Sequence, residues 1–125
     1  FTGDHEPPYN IYDPNDPQHT EYQGFVDEKK TMIRDAIAGV DVLIADSSYT
    51  DAEYPSKIGW GHGTFGSCIE LAQQTGVKTL FCTHHEPTRS DDALEAVFHA
   101  ALNTLAPGDQ GPDIRLAREG DCYEF

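Results

Sequence analysis

The sequence predicts an α/β domain, built from βα units around a sheet that is at least partly parallel. Three observations carry this reading. Segments with helical spacing of apolar residues alternate with short apolar runs that read as buried strands. Gly39, Gly76 and the pair Pro107-Gly108 follow successive helical segments as stop signals. Asp4, Asp46 and His84 each fall just past a predicted strand end, and parallel sheets gather their chemistry at the carboxyl ends of their strands.

Taken in order, residues 5–24 are rich in Pro, Asp, Asn and Tyr, with Pro7-Pro8, Asp13-Pro14 and Asp16-Pro17. This composition disfavours helix and central strand alike. The expectation is one long irregular loop, packed down as a cover by Tyr9, Tyr12 and Tyr22. From Phe25 to Ala38 the spacing turns helical, with Phe25, Met32, Ile33, Ala36 and Ile37 available for one face. Val40 to Ala45, bounded by Asp46-Ser47-Ser48, reads as the first buried strand. The next helix spans Thr64 to Thr75, capped by Thr64 or Ser67, with Cys68, Ile69, Leu71 and Ala72 facing inward. Lys78 to Cys82 is the second buried strand. Ser90-Asp91-Asp92 then caps a third helix carrying Ala93, Leu94, Val97, Phe98, Ala101 and Leu102 at helical spacing. Ile114 and Leu116 mark a last, half-exposed strand.

Charge narrows the function. Eight basic against 22 acidic residues give a net charge of −14. Affinity for nucleic-acid backbones rests on Lys and Arg displacing counterions, so a nucleic-acid partner is not expected and a small substrate is favoured. No run approaches the ~18 apolar residues of a membrane span, so no membrane partner is expected. Cys68, Cys82 and Cys122 are odd in number and form no C-x-x-C pair. They read as reduced thiols of a cytoplasmic protein, with Cys82 as a buried small side chain.

The chemistry-bearing residues lie in three short stretches. Gly59-Trp60-Gly61-His62-Gly63-Thr64 and Thr83-His84-His85-Glu86-Pro87 each place histidine in a turn beside an apolar run. Thr2-Gly3-Asp4-His5-Glu6 adds carboxylates. Histidines and carboxylates converging from the ends of different strands suit a divalent-metal hydrolase. The bland readings differ by position. His62 could cap the helix near Thr64, His99 reads as a core or boundary histidine, and His19 as an exposed loop residue. His5 is placed to support Asp4, and Asp91-Asp92 to meet a helix dipole.

These stretches resemble the metallo-β-lactamase superfamily, and within it the C-terminal half of the αββα sandwich of the tRNA 3′-end endonuclease and phosphodiesterase-like subgroup. Asp41-Val42-Leu43-Ile44-Ala45-Asp46-Ser47-Ser48-Tyr49-Thr50 looks like the family strand that ends in an acidic residue. The segment from Glu53-Tyr54 to Gly59-Trp60-Gly61-His62-Gly63-Thr64 resembles a Gly-Trp-Gly-His-Ser-Thr signature, with Gly63 in place of serine. Leu80 to Pro87 is similar to the strand that delivers a terminal metal-binding histidine.

The resemblance implies two divalent metal ions, zinc first, with manganese or iron as alternatives. It makes Asp4 the bridging ligand and His84 a terminal one; aligning Pro87 with the family proline favours His84 over His85. It makes His62 and Asp46 a catalytic pair and places Tyr49, Tyr54, Trp60 and His85 at the substrate pocket. The implied reaction is phosphodiester hydrolysis by a metal-bridged hydroxide, on a small substrate such as a cyclic nucleotide.

The family's H-x-H-x-D-H signature does not occur in residues 1–125. The expectation is therefore one C-terminal half-domain over 1–125, metal-poor and inactive alone, with an exposed apolar sheet face. That face would be covered by the missing half or by self-association. The alternative is a non-catalytic half-domain serving in assembly or regulation. A flavodoxin-like binding domain is the weaker third reading, because no Gly-rich phosphate loop directly follows a strand.

Overall fold

A computed structural model describes residues 1–105 and 111–124. Its elements run α1 (His19–Ile37), β1 (Val42–Asp46), a short 3-10 turn (Tyr54–Ser56), α2 (Phe65–Thr75), β2 (Thr79–Thr83), α3 (Asp91–Leu102) and β3 (Asp113–Leu116). The strands form one sheet in the order β1-β2-β3, with both pairings parallel. The predicted α/β class with βα units is the observed one. The stop expected at Pro107-Gly108 lies outside the described residues.

The register explains how the sheet divides its two faces. Leu43, Leu80 and Ile114 align across the strands, as do Ala45, Cys82 and Leu116. All six join the apolar core, together with Phe65, Cys68, Ile69 and Ala72 of α2 and Phe98 of α3. Side chains alternate along a strand, so the row Ile44, Phe81, Arg115 faces the other way. Each large core side chain removed from water contributes ~1.5–3 kcal/mol, which fixes α2 and α3 against one face.

The opposite face is less open than expected. Ile44 is 37% exposed, but Phe81 is only 5% exposed. The Tyr123 ring packs edge-on at 4.7 Å from Phe81, and the Arg115 guanidinium lies over both rings. The C-terminal segment thus covers part of the face that the sequence reading left bare.

Caps set the helix ends. Thr64 accepts from the Ser67 N–H while the Ser67 hydroxyl accepts from the Thr64 N–H, so both candidate caps act together in a capping box. Gly76 ends α2 in the left-handed conformation at φ 67°. Ser90 caps α3 by accepting from the Ala93 N–H, and Asp91 and Asp92 occupy its first turn.

Two expectations fail on the first helix. It begins at His19, so the irregular stretch ends at Gln18 rather than residue 24. Gly24 costs ~1 kcal/mol in a helix interior, but local contacts outweigh it. The Asn10 amide donates to the His19 carbonyl and to Gln23, and Tyr12 packs edge-on against Tyr22 at 5.3 Å. Phe25 and Met32 are 59% and 62% exposed, and the inward residue is Val26. His99 is also exposed, not a core or boundary histidine. No helix among the described residues is long and apolar enough to cross a membrane.

Candidate active site

The site lies at the carboxyl edge of the sheet because β1 and β2 end side by side. β1 ends in Asp46, which pairs with Thr83, the last residue of β2. His84 follows at once. Beyond β1 the chain keeps a parallel course with the segment carrying His62: the Tyr49 N–H donates to the Gly63 carbonyl, and the Phe65 N–H to the Tyr49 carbonyl. The N-terminal segment enters from the side, with the Thr2 N–H donating to the Ile44 carbonyl at 3.0 Å. Three remote segments thereby meet at one strand end.

Asp4, Asp46, His62 and His84 come together there, each offering a donor atom within 4.8 Å of the others. The group splits into two pairs. His62 Nδ1 donates to Asp46 Oδ2 at 2.7 Å, with side-chain exposures of 21% and 0%. His84 Nδ1 lies 3.1 Å from Asp4 Oδ1, with exposures of 42% and 69%. The two imidazole rings sit 4.5 Å apart.

Asp46 is fully engaged. Its Oδ2 also accepts the His5 N–H at 3.1 Å, and its Oδ1 accepts the Ser48 N–H at 3.2 Å. The Ser48 hydroxyl stands between that oxygen, at 2.8 Å, and the His84 carbonyl, at 2.5 Å, and can donate to one at a time. A buried carboxylate needs such donors to remain in the interior. Its remaining function is to orient His62 by fixing the proton on Nδ1, which leaves Nε2 as the ring atom for further chemistry.

His84 has φ 58°, the left-handed region that few residues without glycine's freedom occupy. This turn separates the two adjacent histidines. His85 points elsewhere, with Nε2 3.1 Å from the Ala117 carbonyl and Nδ1 buried without a hydrogen-bond partner among the described residues. His5 contributes its backbone N–H to Asp46. Burial, which outweighs the attraction of Asp46, holds its imidazole below the ordinary histidine range.

Gly63 has a local reason. A Cβ there would lie 2.6 Å from the Asp46 carbonyl oxygen and 3.1 Å from that of His5. The backbones of three segments crowd this point, so serine at the position requires them to move.

The proposed pocket residues differ in setting. Tyr49 is 4% exposed and packs edge-on to His62 at 6.1 Å between ring centres. Burial, with the charges of Glu86 and Asp46, holds its phenol above the ordinary range. Trp60 is 61% exposed. The Tyr54 hydroxyl donates to Glu6 Oε1 at 2.8 Å, and burial together with this carboxylate raises its phenol as well.

Sequence reasoning missed two braces. Glu6 Oε1 also accepts the Gly59 N–H at 2.8 Å, and Oε2 accepts the Gly61 N–H at 2.9 Å. Glu6 therefore ties the glycine-rich loop to the segment that carries Asp4. Arg89 grips both oxygens of Glu53 at 2.8 and 2.7 Å and donates to the Ser48 carbonyl at 3.2 Å. It locks the loop after β2 to the loop after β1. A signal for the first existed in Glu6 lying two residues beyond Asp4; nothing in the linear pattern marked Arg89.

Comparison with known proteins bears on the superfamily, not on these residues. No family model matches the chain. Ribonuclease Z of Saccharolobus solfataricus is 37% identical over 57 residues, covering 46% of this chain and 19% of that protein. Ribonuclease Z of Exiguobacterium sibiricum is 33% identical, covering 52% of this chain and 27% of that protein. The matched part spans about a fifth to a quarter of the length of these relatives. No solved structure matches. The chain is thus similar to ribonucleases over about half its length, which supports the superfamily resemblance. It lends no support to a cyclic nucleotide as substrate and weakens the expectation that nucleic acid is excluded.

Proposed function

We propose that the complete protein is a metal-dependent phosphodiester hydrolase of the metallo-β-lactamase type, acting on RNA. The observation that carries this reading is the meeting of two acid–histidine pairs, one buried and one exposed, at one strand end. The donor chemistry fits a divalent metal. Asp4 and His84 offer a carboxylate oxygen and an imidazole nitrogen, the ligand types of zinc, manganese or iron sites. When bound, such ions activate water at neutral pH and stabilise charge on phosphoryl oxygens.

This chain's own residues supply the rest. Asp46 accepts from His62 Nδ1 and so leaves Nε2 outside that bond, on a ring whose centre lies 4.5 Å from that of His84. Nε2 takes up the proton released as water attacks phosphorus and delivers it to the departing oxygen of the substrate. Tyr49, kept neutral, forms the wall behind His62. Two protein donors fall short of the four ligands that zinc commonly takes. The remaining ligands are assigned to a further segment of the protein, in keeping with the greater length of the relatives. Residues 1–125 are then the C-terminal half of one domain.

The test is metal content and RNA cleavage in the complete protein. His62→Ala is expected to lower turnover at least a hundredfold while metal content stays unchanged. Asp4→Ala is expected to lower metal content itself. Full turnover in His62→Ala sinks the proton-donor role. A complete protein without bound metal or cleavage leaves the half-domain with a role in assembly.

A further inference from the structure

The turn that precedes His62 has features that proton transfer and metal binding do not use. The Trp60 N–H donates to the Lys57 carbonyl at 3.0 Å, closing a tight turn that folds the indole back beneath its own lysine. The Lys57 ammonium sits 4.0 Å from the centre of the Trp60 ring and 5.4 Å from that of Tyr49. Tyr49 in turn touches His62. The lysine, the exposed indole and the candidate active site are therefore contiguous.

The charge pattern makes this lysine distinctive. Four of the eight basic residues are committed to ion pairs, Lys78, Arg89, Arg115 and Arg118. Three of the others, Lys29, Lys30 and Arg34, lie on α1. Arg89, the other cation near the site, is 8% exposed and bound to Glu53. Lys57 is the cation beside the site that forms no ion pair among the described residues, in a chain of net charge −14. Its backbone is held in the turn, with the Lys57 N–H donating to the Tyr54 carbonyl at 2.8 Å, and the turn is held by Glu6 through Tyr54, Gly59 and Gly61. An indole left 61% exposed on so firmly anchored a loop is a preorganised apolar plane beside a fixed positive charge.

We infer that Lys57 and Trp60 form a nucleotide subsite, in which Trp60 stacks the base next to the reacting phosphodiester and Lys57 meets a flanking phosphate. Trp60 and His62 are two residues apart, so their Cα atoms lie no more than ~7 Å apart, about the reach of one nucleotide. Aromatic stacking accepts any base, and one cation per phosphate suits a single strand better than a duplex. This inference rests on the phosphodiesterase reading and adds where the strand lies and that it is single.

Trp60 is the chain's one tryptophan, so its fluorescence reports the subsite directly. The protein without added metal is titrated with pentaadenylate and with the matching abasic ribose-phosphate pentamer. Pentaadenylate is expected to quench Trp60 and bind about tenfold tighter than the abasic strand. Binding of labelled pentaadenylate by anisotropy then compares variants. Trp60→Phe should retain affinity and Trp60→Ser should lose about tenfold. Lys57→Met should weaken binding and flatten the salt dependence by ~0.7 in log–log slope. Circular dichroism checks that each variant is folded. Equal affinity for the two strands, or unchanged binding in Trp60→Ser and Lys57→Met, overturns the subsite. Strand binding at Trp60 with no cleavage by the metal-loaded complete protein keeps the subsite and removes the hydrolase reading.

Discussion

Asp46 and Asp4 are carboxylates of the same cluster, yet they live in opposite circumstances. Asp46 is wholly buried and accepts from His5, Ser48 and His62. Asp4 is 69% exposed and, among the described residues, pairs with His84 alone. A carboxylate that already accepts three or four hydrogen bonds has little capacity left for a cation, whereas one with a single exposed contact keeps most of it. Burial and hydrogen bonding divide the work: one acid organises the site and the other is free to bind.

The sharpest way to break that contrast is to remove each acid in turn and measure urea unfolding. Asp46→Ala leaves several interior donors without an acceptor and should cost on the order of 3 kcal/mol. Asp4→Asn should change stability by no more than ~0.5 kcal/mol, while weakening divalent-cation binding measured by calorimetry in the complete protein. Equal stability losses would mean that the two acids share one structural role.

Glu6 stands between these extremes. Glu6→Ala should cost ~1–2 kcal/mol and raise the quenching of Trp60 by acrylamide, because the Gly59 and Gly61 amides lose their anchor. Unaltered quenching would show that the loop keeps its shape without the clamp.

The smallest effect probes whether the buried side stays closed. Cys68 donates to the Asp46 carbonyl at 3.0 Å, and burial pushes its thiol up. Burial also pushes the Cys82 thiol up to about 12. Cys122 is exposed. A thiol reagent at neutral pH should label one cysteine quickly and all three only after unfolding, since the thiolate is the reactive form. Fast labelling of Cys68 would mean that the floor beneath Asp46 opens readily.

Much of this arrangement was legible in the sequence. The apolar runs of β1 and β2, and the polar residues that end them, placed Asp46 and His84 because parallel strands in register bring their ends together. The start of α1 was not legible, because a glycine and preceding prolines outweigh the aromatic and Asn10 contacts that only the folded chain brings into play. Glu6 and Arg89 were missed for a related reason. Each acts through backbone groups more than thirty residues away, and backbone groups look alike in every sequence.

The left-handed backbone of His84 has a consequence for any effort to make this protein hardier. Residues with a Cβ are held at such angles at a cost of ~1–2 kcal/mol, so glycine at this position should raise the melting temperature. The same change would delete the imidazole that meets Asp4. A screen for thermal resilience alone would thus select against the donor that the site is built to present, and the trade between durability and chemistry is concentrated in a single dihedral angle.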